Sequence, residues 1–457
     1  MPFESEDSRV AEAVRRLQTT RFVRSVGQGA LYVLFTLYMK DLGWSAAALG
    51  VLFSAGGLFS SSVGWFVGLA CDRMGRKLFM LIYEGLIFAG GLFFVFTDNP
   101  YLLAAASFLL GFGRSQGGAP DSASAAEQAW LAEGVPVKQR GSAFSQNSAL
   151  GFTGMGVGCL LAGIVPWIEA FLPGTLVYRP FFLLAAVTAA FNFAALRGAT
   201  EFYRGVAQRG GSTREGAAAT GAPERAREET QTLVERLAGP QATPEEIRRR
   251  ENGIMIRMAA VNALNGVAIG LTGPLLVYWF NLKFGVGPGS LGPVYAATFI
   301  ITGMASVWTG RLTERVGIVR AVVTVRMASV VALLLVPLMP TFTLASIVHI
   351  LRSALARGSI GARRALAVNL VRDERRGFAS GVNNISSQLP QAVGPSIAGW
   401  FIASGQMAMP FILGAVMQFL YGTFYGAAFR RYDVTDRDEA RNRRREDRTG
   451  PPVASNS

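Results

Sequence analysis

Gly68-Leu69-Ala70-Cys71-Asp72-Arg73-Met74-Gly75-Arg76-Lys77 sets four charges between two long apolar runs. A degenerate copy, Gly310-Arg311-Leu312-Thr313-Glu314-Arg315-Val316-Gly317-Ile318-Val319-Arg320, repeats Gly68, the acid at position 72, Arg73 and Gly75 after 242 residues. Leu49-Gly50 recurs at the same offset as Leu291-Gly292. A second series recurs at an offset of 236: Arg140-Gly141, Asn147, Gly158 and Gly163 match Arg376-Gly377, Asn383, Gly394 and Gly399. Two independent segments therefore superpose the halves in parallel register. Parallel repeats of six spans, with the coupling site between them near the midplane, build one large class of secondary transporters.

The composition agrees with a membrane setting. Hydrophobic residues make up 51% of 457 residues, Gly is abundant, and the ionisable residues are bunched. The apolar stretches left between them approach the roughly 20 residues that a helix needs to cross a bilayer. Spans are expected over 21–40, 47–70, 78–97, 101–130, 141–167, 178–198, 254–281, 291–310, 318–338, 341–366, 377–402 and 407–430. Twelve crossings put both termini on one side of an all-α integral membrane protein built from two pseudo-symmetric six-helix halves.

The net charge of +14 raises nucleic acid as a partner, since basic patches bind phosphates. The distribution of charge points to topology instead. Lys40, Arg179 and Lys283 lie at connections on one side; Arg73, Arg76, Lys77, Lys138, Arg140, Arg311, Arg315, Arg375, Arg376 and the arginine-rich tails lie on the other. The positive-inside rule makes the second side cytoplasmic. The expected location is the plasma (cytoplasmic or inner) membrane, with the lipid bilayer rather than nucleic acid as the surrounding partner and a monomer as the working unit. Residues 1–20 read as a cytoplasmic N-terminal tail, with a short amphipathic helix as the alternative, 21–198 and 253–430 as the six-helix halves, 199–252 as a flexible cytoplasmic linker with too little apolar surface to order itself beyond one amphipathic helix near 224–238, and 431–457 as a disordered cytoplasmic tail.

Several chemistries find no support. Cys71 and Cys159 do not form a secreted disulfide framework, and His349 has no Cys/His companions for a metal. Residues 1–20 lack the apolar centre of a cleavable signal. With no nucleotide-phosphate loop and no nucleophile–base set, neither an enzyme nor a cofactor is expected, and the energy source is a gradient.

The Gly-x-x-x-Asp-Arg-x-Gly-Arg-Lys stretch between spans two and three resembles the signature loop of the major facilitator superfamily (MFS). The twelve-span layout with a long central connection extends the resemblance over most of the chain. Arg114-Ser115-Gln116-Gly117 is similar to that family's span-four motif but one residue shorter. The family's span-five Gly-Pro motif is missing, and a Gly-Pro pair stands in span eleven as Gly394-Pro395. The resemblance implies a transporter that rocks between two states, with a small-molecule substrate and protons as partners. It makes Gly68, Asp72, Arg73, Gly75, Arg76, Gly310, Glu314, Arg315 and Gly317 a gating motif. Asp72 would face the N-terminus of span eleven near Arg376-Gly377, whose dipole favours a carboxylate by roughly 0.3–1 kcal/mol, and Glu314 would make the reciprocal contact near Arg140-Gly141. For Lys77, anchoring at lipid headgroups is the simpler expectation.

A charge inside the membrane is costly and marks a functional hypothesis by default. Arg114 and Arg352 fall at similar depth in spans four and ten, where they either grip an anionic substrate or bond backbone carbonyls at a packing contact. Arg24 and Gln28 lie in span one. Among the acids, Asp121 shares a face with Arg114 and leads as a proton-coupling group, with Glu127 and Glu84 as further candidates, since burial can raise a carboxyl pKa toward neutrality. Asn147 and Asn383 either line a polar pathway or join helices. Gly273-Pro274, Pro390 and Pro395 are expected to kink their helices. Three functions follow: proton-coupled export of a small organic solute, uptake or exchange of an organic anion held by the paired arginines, and a non-transporting receptor or scaffold. An intact breakable latch argues against the last.

Overall fold

The computed structural model describes residues 6–112, 124–135, 140–199, 243–358, 360, 363, 370, 375–430 and 433. Every regular element among them is helical: α1 (Glu6–Asp41), α2 (Ala46–Met74), α3 (Arg76–Phe96), α4 (Pro100–Leu110), α5 (Ser124–Gly134), α6 (Arg140–Ala162), α7 (Arg179–Arg197), α8 (Pro244–Thr272), α9 (Leu276–Phe284), α10 (Pro288–Val316), α11 (Ile318–Leu335), α12 (Phe342–Gly358), α13 (Arg376–Ala403) and α14 (Met409–Phe429), with short helical turns between some of them. Taken as single crossings, α4 with α5 and α8 with α9 give the twelve spans. Residues 200–242 of the expected 199–252 linker lie outside the described residues, and its last part differs from the expectation, since α8 starts at Pro244 behind a Thr243 capping box and buries Glu251; the C-terminal tail lies outside them apart from Asp433.

The duplication seen in the sequence recurs in the packing. α1 packs on α6 and α7 as α8 packs on α13 and α14; α3 lies against α7 as α11 lies against α14; α2 meets α4 as α10 meets α12. The halves touch through α2 on α13 and α6 on α10, which are again equivalent pairs. The motif glycines match to the backbone level. Gly75 (φ 87, ψ 147) separates α2 from α3, and Gly317 (φ 90, ψ 155) separates α10 from α11. Both conformations are nearly closed to residues with a Cβ, so this turn is written into the sequence twice.

Among the described residues, seven spans are long and apolar enough to cross a membrane by length and composition: those of α2, α3, α6, α7, α8 with α9, α11 and α14. Large side chains such as Phe66, Trp167, Phe171, Trp400 and Phe424 are exposed on the outside of the bundle, where lipid would cover them.

Three expectations are corrected. α1 begins at Glu6 rather than after a tail, and Ala13, Leu17 and Thr20 are buried within it. The helix that opens the span expected over 101–130 stops at Leu110, where Gly111 takes a left-handed conformation and its amide caps on the Ser107 carbonyl; the described part of α5 runs over Ser124–Gly134. Lys77 does not simply reach outward, since its Nζ donates to the Arg197 and Ala199 carbonyls at 2.8 Å and ties the start of α3 to the end of α7. α8 breaks at Gly273-Pro274 before α9, whereas α13 remains one helix through Pro390 and Pro395.

The two ends of the bundle differ. On the side opposite the motif turns, one continuous core joins the halves, with Leu34, Phe35 and Leu49 packed in the same cluster as Trp279, Leu291 and Phe299. On the motif side each half has its own core, one around Leu17, Trp130 and Leu196 and the other around Ile254, Val322 and Tyr425. The α2–α13 pair shows the same taper. A Cβ on Gly50 would strike the Pro395 carbonyl oxygen, and one on Gly399 the Ala46 carbonyl oxygen, yet Gly64 and Gly381 meet nothing within 4 Å. Eighteen residues make five helical turns, so Gly381 and Gly399 share a face of α13, touching at one end and open at the other. The equivalent α6–α10 pair closes where a Cβ on Gly292 would come within 2.6 Å of the Cys159 carbonyl oxygen.

Candidate substrate cavity and a buried ion cluster

The gap between the halves leads into a cavity of about 1350 Å³, counting the part open to solvent. Its walls follow helical periodicity. α8 contributes Met258, Asn262, Asn265, Ile269 and Thr272, and α13 contributes Asn383, Asn384, Ser387, Gln388 and Gln391, each set falling on one face at spacings of three and four. Along α12 and just beyond it, His349, Arg352, Ser353, Ala356, Arg357, Ile360 and Arg363 continue the same rule. Arg326 enters from α11, Gln418 and Tyr425 from α14, and Tyr32 from α1.

The lining includes four arginines, Arg326, Arg352, Arg357 and Arg363, and no aspartate or glutamate among the described residues. Arg352 is 8% exposed and its Nη2 donates to Thr272 Oγ1 at 2.9 Å. Arg326 is 1% exposed and lies over the Tyr421 ring at 5.2 Å; Arg363 lies over the same ring at 5.8 Å and donates to its hydroxyl at 3.3 Å. Arg357 covers Phe299 at 5.6 Å. Such cation–π contacts steady a guanidinium without neutralising it. Nε of Arg326, Nε of Arg352, both amide atoms of Gln418, Oδ1 of Asn265 and the Tyr425 hydroxyl are buried and have no hydrogen-bond partner among the described residues. Over the cavity on the closed side, Tyr32 of one half meets Tyr295 and Phe299 of the other edge-on at 5.2 and 5.6 Å, and the His349 ring lies tilted beside Tyr295 at 5.5 Å.

A second polar centre lies wholly in the N-terminal half. Arg24 on α1 donates through Nε to Glu84 Oε1 at 2.7 Å and through Nη1 to Glu127 Oε2 at 2.5 Å. Asn147 donates to Glu127 Oε1 at 2.6 Å, Asn192 donates to Glu84 Oε1 at 3.3 Å, and Arg21 Nε stands 4.0 Å from Glu127. All of these side chains are buried. One ion cluster thus joins α1, α3, α5, α6 and α7. Breaking a buried pair leaves a charge that the interior cannot solvate, so the cluster fixes the helix arrangement of that half.

Of the residues singled out in the sequence, Glu84, Glu127 and Asn147 come together in this cluster, while Arg352 and Asn383 line the cavity, where Asn262 donates to Asn383 Oδ1 at 2.6 Å. The repeat-related pair Asn147 and Asn383 therefore serves two different surroundings. Arg114 and Asp121 lie outside the described residues. Gly68, Asp72 and Arg73 occupy the last turns of α2, and Gly310, Glu314 and Arg315 those of α10, while Arg76 opens α3; the latch contacts of Asp72 and Glu314 rest on side chains outside the described set. Asp433 takes an equivalent post at the second motif turn, its carboxylate accepting from the Val319 and Arg320 amides at 2.9 and 3.2 Å. Arg326, Arg357, Arg363, Gln418 and Thr272 were missed. Arg326 carried the signal that marked Arg352, a lone charge inside an apolar span.

Two six-helix halves in parallel repeat, closed at one end over a polar central cavity, are the architecture of a membrane-embedded secondary transporter rather than an enzyme. The chain belongs to the Major Facilitator Superfamily, whose family model matches residues 19–239 and 258–455. An uncharacterised membrane protein of Saccharomyces cerevisiae, YJR124C, is 21% identical over 399 residues, covering 84% of this chain and 87% of the yeast protein. Solved transporters share the fold at low identity. A bacterial homologue of the human lysosomal transporter Spinster, in an inward-facing and unoccupied conformation, superposes with a TM-score of 0.63 at 13% identity over 93% of this chain and 98% of its own. A D-xylose–proton symporter superposes with a TM-score of 0.63 at 14% identity over 91% and 96%. A peptide transporter in complex with sulfate superposes with a TM-score of 0.64 at 15% identity over 92% and 94%.

Proposed function

We propose that the protein carries a small organic anion across its membrane by alternating access, the anion binding in the arginine-walled cavity between the halves. The observation that supports this best is the charge of that wall: four guanidiniums with no carboxylate among the described lining residues. Keeping a guanidinium buried costs several kcal/mol per ion after relaxation unless it is paired, so an anion set against Arg326 and Arg352, whose Nε atoms have no hydrogen-bond partner among the described residues, offsets that cost. The anion reading therefore takes precedence over export of an unspecified solute coupled through Asp121. In the described state the side opposite the motif turns is sealed by the α2–α13 and α6–α10 seams. With the motif side cytoplasmic, as the basic residues argue, this is an inward-open state of a plasma-membrane protein working as a monomer.

A specific observation also favours proton coupling. Glu84 and Glu127 are buried carboxylates sharing Arg24, and protonating either would release one arm of the guanidinium and loosen the contacts among five helices. The latch role of Asp72 and Glu314 fits the same cycle, holding the motif side shut when the opposite side opens.

Thermal unfolding of the purified protein across a panel of organic anions, cations and neutral solutes tests the reading. Stabilisation by anions only, lost in Arg352→Gln, is the expected result. Stabilisation by cations or neutral solutes with no response to anions would overturn it, and anion binding without flux in liposomes would favour a receptor or scaffold.

A further inference from the structure

Resting on the anion reading, we infer that the substrate is a polar organic dianion, and that Arg326 and Arg352 divide its two charges. The two arginines stand on neighbouring helices, α11 and α12, and are 1% and 8% exposed. Each keeps an Nε with no hydrogen-bond partner among the described residues, and both line the cavity. Among the described residues that line the cavity there is no carboxylate to face them. Arg326 faces Tyr421 and lies near Arg363, and Arg352 bonds the Thr272 hydroxyl. The buried carboxylates elsewhere in the bundle are engaged, Glu84 and Glu127 with Arg24 and Glu251 with Arg375 at 2.9 Å.

A monoanion can neutralise one of these guanidiniums and leaves the other buried and uncompensated, whereas a solute with two negative charges answers both. Arg357 and Arg363 are less deeply buried, so their charge adds to the field that draws anions inward more than to the innermost contacts. Gln418, fully buried on the same wall with neither amide atom partnered, asks for a group that both donates and accepts, such as a hydroxyl or amide on the substrate. Two negative charges on a small, hydrogen-bonding skeleton describe a dicarboxylate and a phosphate monoester alike.

Calorimetric titration of the purified full-length protein with matched pairs tests this and separates the two sources. One arm compares succinate with monomethyl succinate, the other glycerol 1-phosphate with its methyl ester. In at least one arm the dianion is expected to bind about ten-fold or more tighter than its monoanion, the effect of one additional charge-assisted hydrogen-bonded contact. Arg326→Gln should collapse that ratio to near one while Arg326→Lys, which keeps the charge, retains a preference; unchanged melting of both variants confirms folding. Equal affinity within both pairs, or a ratio unmoved by Arg326→Gln, overturns the dianion inference and leaves the anion reading standing. Failure of all four probes to bind, with binding of a cationic or neutral solute, overturns both.

Discussion

Adding one methyl group at Gly50 should unseal the closed end of the transporter. A Cβ there would collide with the Pro395 carbonyl oxygen and lie 3.2 Å from the Gly399 Cα. At the repeat-related position, Gly292, the Cβ would lie 2.6 Å from the Cys159 carbonyl oxygen and from the Gly163 nitrogen. Ordinary contacts begin near 3.4 Å, so the opposing backbones must separate by most of an ångström, and rigid backbone on both sides leaves no flexible side chain to absorb the strain. Overpacking of this kind costs about 1–3 kcal/mol, which as a bias between two conformations corresponds to a roughly 5–150-fold change in their ratio. The cost falls only on the state in which the seam is closed. Spin labels at Ser45→Cys and Ser404→Cys, exposed positions beside the closed ends of α2 and α13, report the separation by pulsed electron resonance. Gly50→Ala should move population toward a longer distance, and Gly50→Ala with Gly292→Ala further still. An unchanged distance distribution in a folded double variant would refute the view that these glycine seams hold the end shut.

Three other outcomes follow from the same geometry. Arg24→Leu removes the guanidinium bridging Glu84 and Glu127 and should lower stability by about 3–5 kcal/mol, read as a fall in melting temperature that Glu84→Gln with Glu127→Gln partly restores. Glu127→Gln alone keeps the contact with Asn147 but removes a titratable charge; if the cluster couples protons, uptake driven by a pH gradient fails while exchange of substrate for substrate persists. Asp433→Ala removes the carboxylate that accepts from two amides at the start of α11, a loss of about 1 kcal/mol that hydrogen exchange at residues 319 and 320 would register as faster opening.

The fold was legible in the sequence because its rules are local. Gly75 and Gly317 mark a turn that glycine adopts with ease, the charges around them mark helix ends, and the offsets of 242 and 236 residues expose the duplication. The ion cluster was half legible. Glu84, Glu127 and Asn147 each stood out as polar residues within apolar spans, but their meeting at Arg24 depends on how α3, α5 and α6 surround α1, which no spacing along the chain encodes. The cavity wall was harder to read for a related reason. Depth along its span marks Arg352 and pairs it with Arg114, whereas the structure sets it near Arg326 and Arg357, neighbours chosen by packing within one half. Gly111 ended α4 early because its left-handed conformation stops a helix locally, a feature that the apolar composition of 101–130 conceals.

Flux is the most direct test of anion transport by alternating access. Purified protein reconstituted in liposomes preloaded with an unlabelled organic anion found to bind is diluted into the same anion bearing a label, and accumulation inside is followed. Counterflow of the anion by the unsubstituted chain, abolished by Arg352→Gln and sharply reduced by Arg326→Gln with both variants folded, is the predicted result. Counterflow of a cationic or neutral solute instead, indifferent to both arginines, would contradict it.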